Sequence, residues 1–303
     1  MLNSQENPLT PASTLPRALP APAAPPAQLL AAGAEAEVLA FLAARPVHTV
    51  ALASAIRDHG LVSPRHRGHF YCVRNEAGQL EGVALIGHAT LIEAQTERAL
   101  AAFAHLARST PHTHLIMGER ARIACFWQHF ATTGANSLRF AASEILFTLD
   151  ALPSIDKSDS ALRQADLADL DLIVPVQAEL AWAESGINPL TIDPEGFRER
   201  CARRIEQGRT WVVVEDGRLL FKAELQAVTP KVIYLEGIYV HPRARGEGFG
   251  VRCLAQLCHH LLEQTETLCL LVNEQNRPAQ HLYRKVGFRP QGCYDTIFLS
   301  HDN

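Results

Sequence analysis

A basic, glycine-rich run, His241-Pro-Arg-Ala-Arg245-Gly-Glu-Gly248-Phe-Gly250-Val251, is the part of this chain best equipped for chemistry. It follows the apolar run Val232–Val240, which reads as a strand. It precedes Val251–Glu263, where Val251, Leu254, Cys258, Leu261 and Leu262 recur at helical spacing. Glycines allow successive backbone N–H groups to point into one concavity, and the helix start adds the positive end of its dipole. Such a turn suits a diphosphate, with Arg245 available for charge-assisted hydrogen bonds. A mononucleotide loop would end Gly-Lys-Ser or Gly-Lys-Thr, but Gly250 is followed by Val251-Arg252. A dinucleotide fold would spell Gly-x-Gly-x-x-Gly early in the chain, and this run lies near its end. Taken alone, a glycine turn is equally a plain structural connection.

A second segment narrows the choice: Cys269-Leu-Leu-Val-Asn273-Glu-Gln-Asn276-Arg-Pro-Ala279-Gln-His-Leu282-Tyr283-Arg-Lys-Val-Gly287-Phe288. It reads as a strand, an Asn-rich break and a short helix. Together, Val240-His-Pro-x-x-Arg245-Gly-x-Gly248-x-Gly250 and this segment resemble the acyl-coenzyme A binding motifs of the GNAT superfamily of N-acetyltransferases, over roughly residues 160–303. Gly186-Ile-Asn-Pro189, the run Gly208–Glu224 and Leu271–Asn276 are further similar to a bacterial two-domain GNAT subfamily, in which a divergent N-terminal domain precedes the working one.

The resemblance implies roles residue by residue. Arg245, Gly246, Gly248, Phe249 and Gly250 would hold the coenzyme A pyrophosphate. Ile238 and Val240 would offer strand backbone to the pantetheine arm where that strand splays from its neighbour, though both also suit ordinary strand core. Asn276 corresponds to a position that contacts the pantetheine or phosphate region, and Asn is equally a preferred helix N-cap. Tyr283 corresponds to the tyrosine that protonates the departing thiolate, and its spacing after Ala279 and Leu282 also suits a core position. Glu236 is the first candidate for the base: mid-strand, between Leu235 and Gly237, a carboxylate is costly unless it has a task or a partner. Glu224 on the neighbouring strand is a weaker candidate, with a solvent-facing position as its plain alternative. Glu184 and Asn188, in the segment Ala183–Thr191, fall where the superfamily builds one wall of the acceptor site; a helix-linking loop is the alternative.

Two function classes follow. One is an acetyltransferase that moves the acetyl group of acetyl-coenzyme A to a primary amine by direct attack in a ternary complex. The other is a non-catalytic acyl-coenzyme A binding or sensing protein whose N-terminal half engages a partner. The acceptor expected is a small molecule or amino compound. A formal charge of −4 on 303 residues points to no nucleic-acid partner, and no run of about 18 apolar residues suggests a membrane span. Seven scattered cysteines without a Cys-x-x-Cys pair suggest neither zinc nor a disulfide framework, and most read as core thiols of a cytoplasmic protein. The pairs His112/His114 and His259/His260 lack a third ligand at fitting spacing, so no metal is expected, and His241 receives no catalytic role.

The expected fold class is α+β: two tandem GNAT-like domains, each a twisted, mostly antiparallel sheet flanked by helices. Residues 1–28, rich in Pro and Ala, read as a disordered tail. Residues 29–150 read as a degenerate domain without a cofactor loop, 151–160 as a linker and 161–303 as the catalytic domain. Both halves run two helices, a hairpin turning on Asn75–Gly78 or Asp216-Gly217, a strand, a helix, a strand, a helix and closing strands. After Thr90–Ala94 the first half has Gln95-Thr-Glu-Arg and no glycine turn.

Overall fold

The computed structural model describes residues 26–110, 113–131, 136–152 and 161–301. Residues 1–25 of the expected tail, His112 and residues 153–160 of the expected linker lie outside the described residues. The elements in chain order are β1 (Gln28–Leu29), α1 (Glu35–Leu42), α2 (Pro46–His59), β2 (Gly68–Arg74), β3 (Leu80–Gly87), β4 (Ala89–Ala94), α3 (Glu97–Ser109), β5 (Leu115–Glu119), α4 (Arg120–Phe130) and β6 (Asn136–Leu149). They continue with β7 (Arg163–Gln164), α5 (Leu170–Ser185), α6 (Pro189–Ile192), α7 (Pro194–Glu206), β8 (Thr210–Glu215), β9 (Arg218–Val228), β10 (Val232–Val240), α8 (Phe249–Leu262), β11 (Thr267–Asn273), α9 (Arg277–Val286) and β12 (Arg289–His301). Among the described residues, no helix is long and apolar enough to cross a membrane.

Two compact units share these elements. The first takes the described parts of 1–34, 61–143 and 295–303; the second takes 35–60 and 144–294. In the first, β1 to β4 pair antiparallel in sequence, β4 and β5 pair parallel, and Leu299 of β12 donates its N–H to the His114 carbonyl at 2.9 Å. Gln28, expected to end the tail, is instead in register with Cys72 on β2. Phe103, Ile116, Phe126, Ile297 and Leu299 lie in the core of this unit.

The second unit repeats the pattern. β7, β8, β9 and β10 pair antiparallel in turn, β10 and β11 pair parallel, and β11 pairs antiparallel with residues 144–149 of β6. The hairpin between β8 and β9 turns on Asp216 (φ 48°) and Gly217 (φ 70°), as the two-residue Asp-Gly connection requires. Phe147, Phe221, Leu235, Leu254, Cys258, Leu270 and Phe288 are buried together. Burying each such side chain contributes roughly 1.5–3 kcal/mol. Helix α2 is fastened to this unit: Ser54 Oγ accepts from the Val228 N–H at 3.0 Å, and Asp58 meets Arg209 at 2.7 Å.

The units therefore depart from a cut between residues 150 and 161. Residues 35–60 and 144–150 fall with the second unit, and 295–303 fall with the first. Each unit borrows its closing strand from a distant part of the chain: residues 144–149 beside β11, residues 295–301 beside β5. Strand pairing is non-local, so contiguity in sequence cannot reveal such an exchange. One closing strand, β12, also stands where a pair was expected. Five cysteines are buried, Cys125 is half-buried and Cys293 exposed, all of them free. Burial pushes the Cys201 thiol up to about 11 and the Cys269 thiol up to about 12, so these are inert core groups.

Candidate active site

The two units differ where strand four of each hands over to a helix. In the first, residues 95–96 alone join β4 to α3, and Thr96 Oγ1 caps the helix by accepting from the Ala99 N–H at 3.2 Å. In the second, residues 241–248 join β10 to α8, and no side chain caps the helix. Its N-cap is Gly248 at φ 75°, and Gly246 stands at φ 96°; both are left-handed values that favour glycine. Gly250 is needed for a different reason: a Cβ there would lie 2.7 Å from the Val240 side chain. The first-turn N–H groups of α8 are thus presented without a competing cap, as an anion site requires. Arg245 is exposed, and its Nε donates to the Val240 carbonyl at 2.9 Å, which draws the guanidinium to the strand end. His241 uses its Nδ1 to accept from the Arg243 N–H at 3.2 Å, a local turn role.

Strand β10 is the axis of the site. Its parallel pairing with β11 runs from Val232↔Thr267 to Leu235↔Leu270 and stops there, although β11 continues to Asn273 and β10 to Val240. Beyond Leu235 the side of β10 that faced β11, including Ile238 and Val240, has no strand partner from β11. The break coincides with a bulge between Glu236 and Tyr239 in the pairing with β9. Gly237 sits in that bulge at φ 59°, and a Cβ there would lie 3.0 Å from Lys222 Nζ and 3.1 Å from Gln177 Oε1.

That contact exposes a residue the sequence hid. Lys222 on β9 is fully buried. Its Nζ donates to Gln177 Oε1 at 2.5 Å and to the Gly237 carbonyl at 3.3 Å, and lies 2.9 Å from Glu224 Oε1. Arg204 Nε stands 3.7 Å from the other oxygen of Glu224. Glu224 is 3% exposed, so the solvent-facing alternative is overturned: it is a buried carboxylate neutralised by two cations and unsuited to act as the base. Lys222 thereby props the bulge that turns β10 away from β11.

Glu236 lies opposite Glu224 in register and is half-buried. Burial pushes its carboxyl above the usual range, with Arg204 and Lys222 opposing and Glu224 reinforcing the shift. Glu184, in the last turn of α5, has its carboxyl pushed up to about 8, chiefly by desolvation, then by Glu236 and Glu144. Its side chain still reaches solvent. Tyr234 is also raised, by burial and then by Glu236 and Glu144. Glu184, Glu236 and Glu144 therefore form one electrostatic group, opposed by Lys222 at Glu184 and by Arg204 and Lys222 at Glu236.

Tyr283 is 7% exposed and packs edge-on to Phe147 and Phe288, at ring distances of 6.2 and 6.1 Å. It is a core residue as well as a candidate acid. Burial first, and Glu184 second, hold its phenol far above the usual range, which keeps it protonated and ties it to the carboxylate group. Asn276 caps α9, with Oδ1 accepting from the Ala279 N–H at 3.1 Å. Asn188 caps α6, with Oδ1 accepting from the Leu190 N–H at 3.0 Å, so that oxygen is committed to its own loop. Gln280 is fully buried and donates to the carbonyls of Asn273 (3.2 Å) and Glu274 (2.9 Å), fixing the turn that leads from β11 into α9.

Residues 178–288, all within the second unit, match the family model described as the acetyltransferase (GNAT) family. No curated protein matches the chain. Solved structures similar to it include an acetyltransferase of the GNAT family from Colwellia psychrerythraea, at 14% identity and a TM-score of 0.51, covering 86% of this chain and 97% of that one. A tandem GNAT protein from the clavulanic acid biosynthesis pathway aligns at 17% identity and a TM-score of 0.55, over 91% of this chain and 98% of its own. A GCN5-related N-acetyltransferase from Sphaerobacter thermophilus aligns at 12% identity and 0.54, over 91% and 95%. At these identities the structural likeness is one of fold. The family match places an acetyltransferase (GNAT) domain at residues 178–288, the stretch that carries β10, the glycine turn and α9.

Proposed function

We propose that the second unit transfers an acetyl group from acetyl-coenzyme A to a primary amine of a small molecule or amino compound, by direct attack within a ternary complex. The observation that carries this reading is the meeting of three features along β10: an uncapped glycine turn at its end, a backbone edge freed after Leu235, and a carboxylate group at its middle. The residues present suit the cosubstrate, because the turn is open and lined by N–H groups that a phosphate would accept from. Acetyl-coenzyme A supplies an activated acyl thioester.

The chain's own residues divide the work as follows. Residues 245–250 bind the pyrophosphate through backbone N–H groups and Arg245, and Asn276 lies at the start of α9 to contact the arm or phosphate region. Ile238 and Val240 offer strand backbone to the pantetheine. Glu184 draws a cationic amine to the wall of the site, and Glu236 accepts the proton that the attacking nitrogen must lose. Tyr283 donates its proton to the sulfur as the carbon–sulfur bond breaks. Asn188, engaged in its own cap, shapes the acceptor loop.

A thioester-cleavage assay against a panel of amines tests this reading. The parent protein should release coenzyme A only when an acceptor amine is present. Tyr283→Phe should lower kcat by on the order of 10²-fold, the lower end of what a general acid supplies, with little change in the KM for acetyl-coenzyme A. Cleavage indifferent to every amine, or an unaltered kcat in Tyr283→Phe, would refute it.

A further inference from the structure

The first unit carries a side-chain cluster for which acetyl transfer has no use. Glu97 opens α3, and Cys125 and His129 stand four residues apart on α4, which places both on one helix face. A carboxylate oxygen, a thiol sulfur and an imidazole nitrogen, one from each residue, all lie within 4.8 Å of one another. His129 Nε2 is 3.4 Å from Glu97 Oε1. His129 is 9% exposed, yet neither ring nitrogen makes a hydrogen bond to the protein. Leaving both nitrogens of a buried imidazole unsatisfied is costly, unless one of them serves as a ligand.

The chemistry of the three donors selects the ligand. Magnesium and calcium take oxygen donors in sets of six or more, which a thiol and an imidazole do not supply. One sulfur, one nitrogen and one oxygen match the borderline-soft divalent ions, zinc foremost. Around zinc such atoms stand at about 2.0–2.3 Å from the metal, and hence roughly 3.3–3.8 Å from one another when tetrahedral. The Glu97–His129 pair, at 3.4 Å, already has that spacing, and no pair among the three donors exceeds 4.8 Å, so about an ångström of side-chain movement at most closes the set. His105 lies edge-on to His129 at a ring distance of 6.4 Å.

We propose that Glu97, Cys125 and His129 bind one zinc-like divalent cation, with solvent in the fourth position, fastening α3 to α4. Binding releases the Cys125 proton to solvent as the thiolate–metal bond forms. The site is remote in chemistry from acetyl transfer and belongs to the unit that lacks the glycine turn.

The full chain, freed of metal by a chelator and titrated with cobalt(II), tests this. The expected result is one cobalt per chain, with thiolate-to-cobalt charge-transfer absorption that zinc displaces. Cys125→Ser should abolish that absorption, and His129→Gln should weaken cobalt binding at least tenfold. Glu97→Gln alters an exposed residue that the fold tolerates, and it too should weaken binding at least tenfold. Cys293→Ser, which removes the exposed thiol, should leave the spectrum unchanged. No charge-transfer absorption, absorption that survives Cys125→Ser, absorption lost in Cys293→Ser, or unchanged affinity in Glu97→Gln would each overturn the proposal.

Discussion

Replacing Lys222 by Met removes a single charge, and the structure specifies two separable consequences. Lys222 is fully buried and Glu224 3% exposed, with 2.9 Å between Nζ and Oε1. At that depth, the loss of one partner leaves a desolvated carboxylate with only Arg204 at 3.7 Å to balance it. Breaking a buried ion pair in this way costs about 3–5 kcal/mol, a large fraction of the 5–15 kcal/mol that holds a typical domain folded. Restoring neutrality with Lys222→Met/Glu224→Gln should recover most of that loss, because two neutral side chains of similar volume leave no orphan charge. The second consequence is electrostatic. Lys222 lowers the pKa of both Glu184 and Glu236, so its removal should move the rising limb of the pH–rate profile to higher pH. Urea unfolding and kcat/KM measured from pH 6 to 9 read the two effects. A stability loss below about 1 kcal/mol, together with an unmoved profile, would refute the argument that Lys222 supports both the bulge and the base.

Three further outcomes are expected. Glu184 ionises near pH 8, so the KM for the amine should fall as pH rises through that value and become flat and higher in Glu184→Gln, while the KM for acetyl-coenzyme A stays put; steady-state kinetics against both substrates checks this. The sign for stability is opposite: a carboxyl raised from its ordinary 4.5 to about 8 favours the fold below the lower value, and that contribution is lost as pH rises through the upper one. The Tm of the parent should therefore decline more than that of Glu184→Gln between pH 5 and 8 in calorimetric scans. Gly237→Ala places a Cβ 3.0 Å from Lys222 Nζ at φ 59°, and should cost about 1–3 kcal/mol and lower kcat more than it raises either KM.

Local signals carried much of the fold. The Asp216-Gly217 dipeptide, the capping Thr96 and Asp193, and the apolar run of β10 each dictate structure within a few residues, so α3, α7 and β10 fall where the sequence puts them. The strand exchange was not legible, because residues 144–149 and 295–301 read as strands whichever neighbour they choose. Lys222 was hidden by its pattern. Lys222, Glu224 and Gln226 alternate with Phe221, Ala223 and Leu225, as on a half-exposed strand, but Gln177 of α5 stands over that face and shuts out water. One overlooked signal was available for Glu184: an acidic residue in the last turn of a helix opposes the helix dipole, and so invites a functional explanation. Asn188 and Asn276 show the reverse case, since a side chain that caps its own helix satisfies the residue preference without any ligand.

Calorimetric titration of the full chain with acetyl-coenzyme A tests the central claim most directly. One molecule should bind per chain, and Gly248→Trp, which puts a large side chain on a left-handed position at the mouth of α8, should abolish binding. Two molecules per chain, or affinity undiminished by Gly248→Trp, would contradict the assignment of the cosubstrate to the glycine turn of the second unit.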